Sequence, residues 1–513
     1  MINTQVLILD FGSQYTQLLA RRVREANVYT EVLSFNISYQ KIKTYPNLKA
    51  IILSGGPSSV YLQNAYKIDQ AIFNLPVAIL GVCYGMQLLT NHFKGKVELA
   101  DEQEFGKSIL YLDQPNNKLF KKVANQSKVW MSHADHVTKI PKDFIQIAHS
   151  DSSISAIAHF TKPIYGIQFH AEVTHSEFGK QIIENFLFTI ASCTKDWSLD
   201  DFISNQISEI KDKVQDKQVI LGLSGGVDSS VAAAIISKAI GKQLTCIFVD
   251  TGLLRKNEAI DVMEIYKQNF KLNLEMIDAS KHFFTALKGV KNAEEKRKII
   301  GKQFIDVFTT AARKFKTADF LAQGTIYPDI IESSSKHASS KTIKTHHNVG
   351  GLPADLQFKL LEPLKTLFKD EVREIGLKLG LPETLINRHP FPGPGLGVRV
   401  IEEVTKEKCL ILQEVDHIFI TKLKEKNIYN QVSQAFATLL PVKTVGVMGD
   451  NRTYDYVVSL RSVNTIDFMT ATSSHLPWEF LDEVANEIIN KVDGVNRVVY
   501  DITSKPPGTI EWE

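Results

Sequence analysis

Three short, almost wholly apolar runs near the N-terminus each stop at a turn of small residues. Val6–Asp10 meets Phe11-Gly12-Ser13, Ala50–Leu53 meets Ser54-Gly55-Gly56-Pro57, and Val77–Val82 meets Cys83. A helical pattern through Leu18, Leu19 and Val23 follows the first run. Continuous apolar runs of this length, with helices between them, predict parallel strands buried on both faces. The simplest fold is a doubly wound α/β domain, which binds ligands at the carboxyl ends of its strands. All three turns lie at such ends.

At 513 residues the chain is too long for one hydrophobic core. Polar composition returns around Ser192–Lys217, where Phe202, Ile203, Ile207, Ile210 and Val214 recur at helical spacing and predict a linker helix. Gln218–Leu223 then reads as a strand feeding Ser224-Gly225-Gly226-Val227-Asp228-Ser229-Ser230, and Gln243–Asp250 as a second strand. This predicts a second α/β domain. The stretch His389–Gly397 is the densest in proline and glycine and predicts an irregular boundary loop. Alternating strands such as Tyr454–Ser462 and Arg497–Ile502 beyond it predict a smaller α+β domain. The expected division is 1–195, 196–388 and 389–513.

Cys83 stands where a strand should turn into a helix, with Gly81 and Gly85 on either side. Such a turn lifts the side chain out of the sheet, as a nucleophile elbow does. The helix N-terminus behind it favours thiolate, and the Tyr84 amide can donate to an oxyanion. A cysteine nucleophile needs a base, and the base an orienting acid. His170 and Glu172 close another apolar run and, on extended backbone, point the same way.

G-V-C-Y-G-M-Q at Gly81–Gln87 and G-I-Q-F-H-A-E at Gly166–Glu172 closely resemble the class I (triad) glutamine amidotransferases. Ser54–Pro57 and Met131-Ser132-His133-Ala134-Asp135-His136 do so too. The resemblance implies a flavodoxin-like glutaminase in which Cys83 forms a glutamyl thioester and His170 and Glu172 complete the triad. It also implies that the Gly56 amide joins Tyr84 in the oxyanion hole and that Gln87 lies beside the glutamine site. That family usually has proline where this chain has Ala171.

The Ser224–Ser230 string follows a strand and opens a helix, an arrangement that attracts phosphate oxygens. No G-K-[ST] follows, so it is not a kinase-type loop. Asp228 among phosphate-binding groups suggests a Mg²⁺ ligand. The string resembles the pyrophosphate loop of the ATP pyrophosphatase superfamily. That implies a Rossmann-like domain that transfers AMP to a carbonyl oxygen, leaving a carbon ready for ammonia.

Longer strings resemble the glutamine-hydrolysing GMP synthases from end to end: Ala322–Ser333, Lys344–Pro353, Glu362–Arg373, Arg388–Gly397 and Val499–Glu513. The implied substrates are glutamine, ATP and XMP. Arg255 and Lys505 can meet the XMP phosphate, and Glu511 can accept ribose or ring donors. The resemblance also implies a C-terminal domain that pairs in a homodimer and closes over XMP. Thr470–Trp478 departs from it, since the family usually shows Asp-Trp after Thr-Ala.

Other classes are disfavoured. A net charge of +2 gives no basis for a nucleic-acid partner. The run Glu294–Lys298 reads as a solvated helix face. Cys83, Cys193, Cys246 and Cys409 form no C-x-x-C pair, which argues against zinc and fits a reducing cytoplasm. No apolar run approaches a membrane span, so a soluble protein is expected.

Overall fold

A computed structural model describes residues 3–270, 272–315, 317–335, 358–465, 468 and 470–513. The string Lys344–Pro353 lies outside them. The chain forms two compact units: among the described residues the first takes 3–202 and 328–335 and the second takes the rest, with the break between Phe202 and Ile203 falling inside helix Leu199–Val214.

The first unit is built on a nine-stranded sheet. Its strands are β1 (Val6–Asp10), β2 (Thr30–Ser34), β3 (Ala50–Leu53), β4 (Ala78–Val82), β5 (Lys96–Leu112), β6 (Ser127–Lys139), β7 (Phe144–His149), β8 (Ile154–His159) and β9 (Ile164–Ile167). The order β2-β1-β3-β4-β9 is parallel throughout, and β8, β7, β5 and β6 continue it in antiparallel fashion. That parallel order is the flavodoxin-like one. β1, β3 and β4 are apolar because both faces are covered; Leu7, Leu9, Ile51, Leu53 and Ile79 share one core with Tyr84 and Met86 of the next helix.

The second unit carries a five-stranded parallel sheet: β10 (Gln218–Leu223), β11 (Leu244–Asp250), β12 (Asn273–Asp278), β13 (Ala318–Ala322) and β14 (Lys359–Leu361). Its order is β12-β11-β10-β13-β14. Strand order therefore reverses between β10 and β13, the switch point at which doubly wound sheets bind nucleotides. A further sheet joins β15 (Gln434–Met448), β16 (Asn451–Asn464), β17 (Thr472–Ser473) and β18 (Val495–Asp501). One core runs through both sheets, from Ile220, Ile247 and Phe308 to Leu412, Phe419, Leu460 and Val484.

Two sequence expectations change here. His389–Gly397 is not wholly irregular: Gly395–Val398 is a turn of 3₁₀ helix, buried throughout. Glycine allows it to press against the chain after β11, since a Cβ on Gly395 would lie 2.2 Å from the Leu253 carbonyl oxygen. Nor is Glu294–Lys298 simply a solvated face. Lys296 is fully buried, and its ammonium donates to the carbonyls of Val400 and Glu402, each at 2.9 Å, and pairs with Glu513. Its partners lie more than a hundred residues downstream, beyond the reach of local charge pattern.

Candidate active site

Cys83 joins β4 to helix Tyr84–His92 in a left-handed conformation, φ 51° and ψ −107°. For a residue with a Cβ this is strained, and such strain gathers at functional sites. The flanking glycines are obligatory. A Cβ on Gly81 would stand 2.5 Å from the Gly85 carbonyl carbon, and one on Gly85 would stand 2.3 Å from the Leu53 carbonyl oxygen. Only glycine lets β3, β4 and the helix close around the cysteine.

His170 and Glu172 follow β9, where the chain bends and then turns at Ala171 and Glu172 instead of staying extended, and the turn brings the two side chains together. Nδ1 of His170 stands 2.7 Å from Oε1 of Glu172, and both residues are buried. Cys83 is also close enough to the imidazole to act on its charge. Burial works against the imidazolium, yet Glu172 and Cys83 outweigh it and hold His170 well above the ordinary imidazole range. Folding therefore stabilises the imidazolium; that contribution is fully present below about pH 6.5 and is lost as pH rises through the raised folded value. The Ser176 hydroxyl donates to the His170 carbonyl at 2.6 Å, Arg22 Nε donates to that of Glu172 at 2.9 Å, and Tyr15 packs edge-on to the imidazole.

Gly56 lies against Tyr84, a Cβ there falling 3.4 Å from the tyrosine Cγ. Among the described residues neither the Gly56 nor the Tyr84 amide donates to a protein acceptor, so both remain for an oxyanion. Gln87 is buried and donates to the Asp135 carbonyl at 2.9 Å. Next to it, His133 bonds the same carbonyl through Nδ1 at 3.0 Å, and its Nε2 lies 3.1 Å from Glu104.

In the second unit, Ser224–Ser230 spans the end of β10 and the start of helix Val227–Ile240, with Gly225 at φ +72°. The serines brace the turn: Ser224 and Ser229 hydroxyls are 2.9 Å apart, and the Ser229 and Ser230 hydroxyls donate to the Gly226 carbonyl at 3.1 and 2.7 Å. Gly324, just past β13, backs onto the loop, its added Cβ falling 2.9 Å from the Asp228 carbonyl carbon. The loop thus fills the switch point between β10 and β13.

Asp228 accepts two bonds from Lys369 Nζ, at 2.6 and 2.7 Å, and its side chain keeps 30% of its exposure. Among the described residues no cluster of three or more His, Cys, Asp or Glu side chains could hold a metal by itself. One accessible carboxylate beside a phosphate loop fits Mg²⁺, which takes most of its ligands from phosphates and water. Behind the loop, Arg388 pairs with buried Glu258 and donates to the Gly225 carbonyl at 3.3 Å.

The three residues expected around XMP are placed differently. Arg255 lies over the Phe391 ring at 4.7 Å, with Nε 3.6 Å from Asp416. Burial lowers its pKa against the pull of Asp416, and among the described residues its Nε and Nη2 have no hydrogen-bond partner. Glu511 is not open to a ligand on all sides: it takes Nε and Nη2 of buried Arg399 at 3.0 and 2.9 Å and Gln434 at 2.8 Å. Arg399 in turn lies over Phe391 at 5.0 Å, which ties Glu511 to the Arg255 cluster. Lys505 donates instead to the Phe468 carbonyl at 2.7 Å.

Known proteins resemble the chain along its whole length. A family model described as glutamine amidotransferase class-I matches residues 7–190, one described as NAD synthase matches 198–304, and one described as GMP synthase C terminal domain matches 421–512. The glutamine-hydrolysing GMP synthase of Mesoplasma florum is 77% identical over 513 residues, covering 100% of both chains. Those of Fusobacterium nucleatum and Spiroplasma kunkelii are 60% and 56% identical over 508 and 509 residues, covering 99% of each chain. The chain belongs to the glutamine-hydrolysing GMP synthase family.

In this GMP synthase family member, sequence reasoning missed Lys369, Glu258, Arg388, Arg399 and Asp416. Each acts through a partner more than a hundred residues away in the chain. Gln168 was missed as well, since its amide is neutral and its neighbours come from other elements. The Arg399 contact carries a stability prediction. Gln in place of Glu511 leaves a buried guanidinium uncompensated, so Glu511→Gln should destabilise the second unit by about 3–5 kcal/mol. Urea unfolding followed by fluorescence measures this; an unchanged midpoint would show the pair to be dispensable.

Proposed function

We propose that Cys83, His170 and Glu172 hydrolyse glutamine and that the Ser224–Ser230 loop directs ATP to activate XMP for the ammonia released. The observation that carries the reading is the buried 2.7 Å His170–Glu172 contact beside a cysteine held at positive φ. Cys83 Sγ attacks the amide carbon of glutamine, and the Gly56 and Tyr84 amides receive the oxyanion. His170 delivers its proton to the departing ammonia. A water then loses a proton to His170 and splits the thioester to glutamate, with Glu172 holding the imidazole in register throughout.

At the second site the braced turn and helix N-terminus bind the β and γ phosphates. The O2 atom of XMP attacks the α phosphorus, and pyrophosphate leaves. Ammonia attacks C2, and AMP departs with the oxygen. Asp228 would hold Mg²⁺, which when bound neutralises phosphate charge. Lys369 then both positions Asp228 and adds a positive charge beside the phosphates. Arg255, Lys505 and Glu511 are proposed to serve XMP, with Glu511 already aligned by Arg399. The functional division 1–195, 196–388 and 389–513 follows from this assignment.

The stoichiometry tests it. Glutamate, GMP, AMP and pyrophosphate should appear in equal amounts when glutamine, ATP and XMP are supplied. ADP in place of AMP would exclude adenylation.

A homodimer is supported by β15, an edge strand with Val442, Val445 and Val447 exposed and Tyr454 exposed on its partner β16. Long apolar edges are ordinarily covered. Val447→Lys should shift the protein from dimer to monomer in analytical ultracentrifugation; an unchanged mass would place the interface elsewhere. Small-molecule substrates without nucleic acid accord with the near-neutral charge. No helix among the described residues is long and apolar enough to cross a membrane, and all four cysteines are free and buried. A cytoplasmic location is proposed on those grounds.

A further inference from the structure

We propose that Gln168 is a hydrogen-bond donor to the Cys83 sulfur, oriented for that task by Gln87 through a relay that ends on the Asp135 carbonyl. This rests on Cys83 being the nucleophile. Gln168 directly follows β9 and is completely buried. Its backbone N–H donates to the Ser155 carbonyl at 2.8 Å, which pins the residue to β8. Its Nε2 stands 3.6 Å from Cys83 Sγ, within range for a bond to sulfur, and its Oε1 is 3.4 Å from Gln87 Nε2. Gln87 Nε2 in turn is 2.9 Å from the Asp135 carbonyl oxygen.

The direction of the relay follows from donor chemistry. A backbone carbonyl can only accept, so the Gln87 atom facing Asp135 is its nitrogen. That nitrogen has a second N–H, which faces Gln168, so Gln168 must present its oxygen there. Its own nitrogen is then left for the sulfur. Reversing either amide would oppose two donors or two acceptors in a buried site.

The bond answers a need of the pocket. Cys83 is only 6% exposed, and burial disfavours an anionic sulfur unless donors replace the lost water. The Ser132 carbonyl, 3.8 Å from Sγ, offers no such help because it can only accept. His170 supplies one donor and Gln168 the second. Gln168, His170 and Glu172 lie within five residues of one another just after β9, so one short stretch of backbone delivers both donors and the acid behind one of them.

The charged and titratable groups facing the site are His170 and Glu172 after β9, Tyr15 beside His170, Tyr84 on the helix that Cys83 caps, and the His133–Glu104 pair and Asp135 on β6 and β5. Gln168→Leu alters none of them, so a change in its pH profile reports the amide alone. Iodoacetamide labelling of Cys83 in the full-length protein, followed by mass spectrometry of its peptide across pH, measures the sulfur's ionised fraction. Burial pushes the other thiols up, Cys193 to about 11 and Cys409 to about 12, and Cys246 upward as well, so they label slowly and serve as internal controls.

At neutral pH, Gln168→Leu should label about tenfold more slowly than the native protein, with the deficit closing in alkali. Gln87→Leu should show a smaller deficit of the same form. Equal rates at neutral pH, or a deficit constant across pH, would overturn the proposal. Thermal unfolding checks the fold, and Gln168→Met, close in size, uncharged and without the donor, replaces a Gln168→Leu protein that does not fold. Failure of the nucleophile assignment shows separately, as glutamine-dependent synthesis surviving in Cys83→Ala.

Discussion

Alanine at Cys83 will remove GMP formation from glutamine by at least about a thousandfold, while formation from ammonium persists. The substitution deletes one sulfur atom and keeps the Cβ, so the strained turn at φ 51° is no harder to form than before. Gly81 and Gly85 still allow the close approach of β3 and the helix. What disappears is the atom proposed to carry the glutamyl group. His170 and Glu172 remain paired but have no sulfur to serve. The ATP loop belongs to the other compact unit, with its own core from Ile220 to Val495, and does not depend on Cys83 for its shape. Parallel assays with glutamine and with ammonium separate the two activities. Loss of both would show that the cysteine supports the second site as well; retention of both would remove it from the chemistry.

Asparagine at Asp228 will have the complementary effect, cutting synthesis from either nitrogen source by about a hundred- to a thousandfold while glutamine hydrolysis remains measurable. Asp228 has little structural duty. Its side chain is 30% exposed, and its partner Lys369 is 41% exposed, so their ion pair contributes little to stability. Its value lies in a negative charge at the mouth of the loop, where Mg²⁺ and the phosphates of ATP would meet. Asparagine keeps the shape, loses the charge and frees Lys369. Steady-state rates with saturating ammonium and XMP, over a series of Mg²⁺ concentrations, read the effect directly. A native rate would take Asp228 out of the ATP site.

The sequence made the two sites legible to different depths. Strand ends were readable because β1, β3, β4 and β10 are buried on both faces and so are written as unbroken apolar runs. Cys83, His170 and Glu172 were readable because each declares itself within a few residues, through flanking glycines or close spacing. The tail was harder. Glu511 was expected to face substrate, and it is also held by Arg399 across 112 residues. Lys296 was expected in solvent, and it is buried against Val400 and Glu402. Arg461 grips the carbonyls of Thr509 and Ile510 at 2.9 and 2.8 Å. A long basic side chain looks the same in a sequence whether it meets water or a distant carbonyl, and the choice is made by tertiary packing. Gln168 was overlooked for another reason: a neutral amide carries no signal of its own, and its role appears only once the neighbours that fix its direction are in view.

The central claim is that Cys83 releases from glutamine the nitrogen that enters the product. It is tested most directly by supplying glutamine with a heavy-nitrogen amide together with unlabelled ammonium, and weighing the GMP formed. The native protein should place the heavy isotope in the product, and Cys83→Ala should make GMP with light nitrogen alone. Heavy GMP from Cys83→Ala would contradict the account.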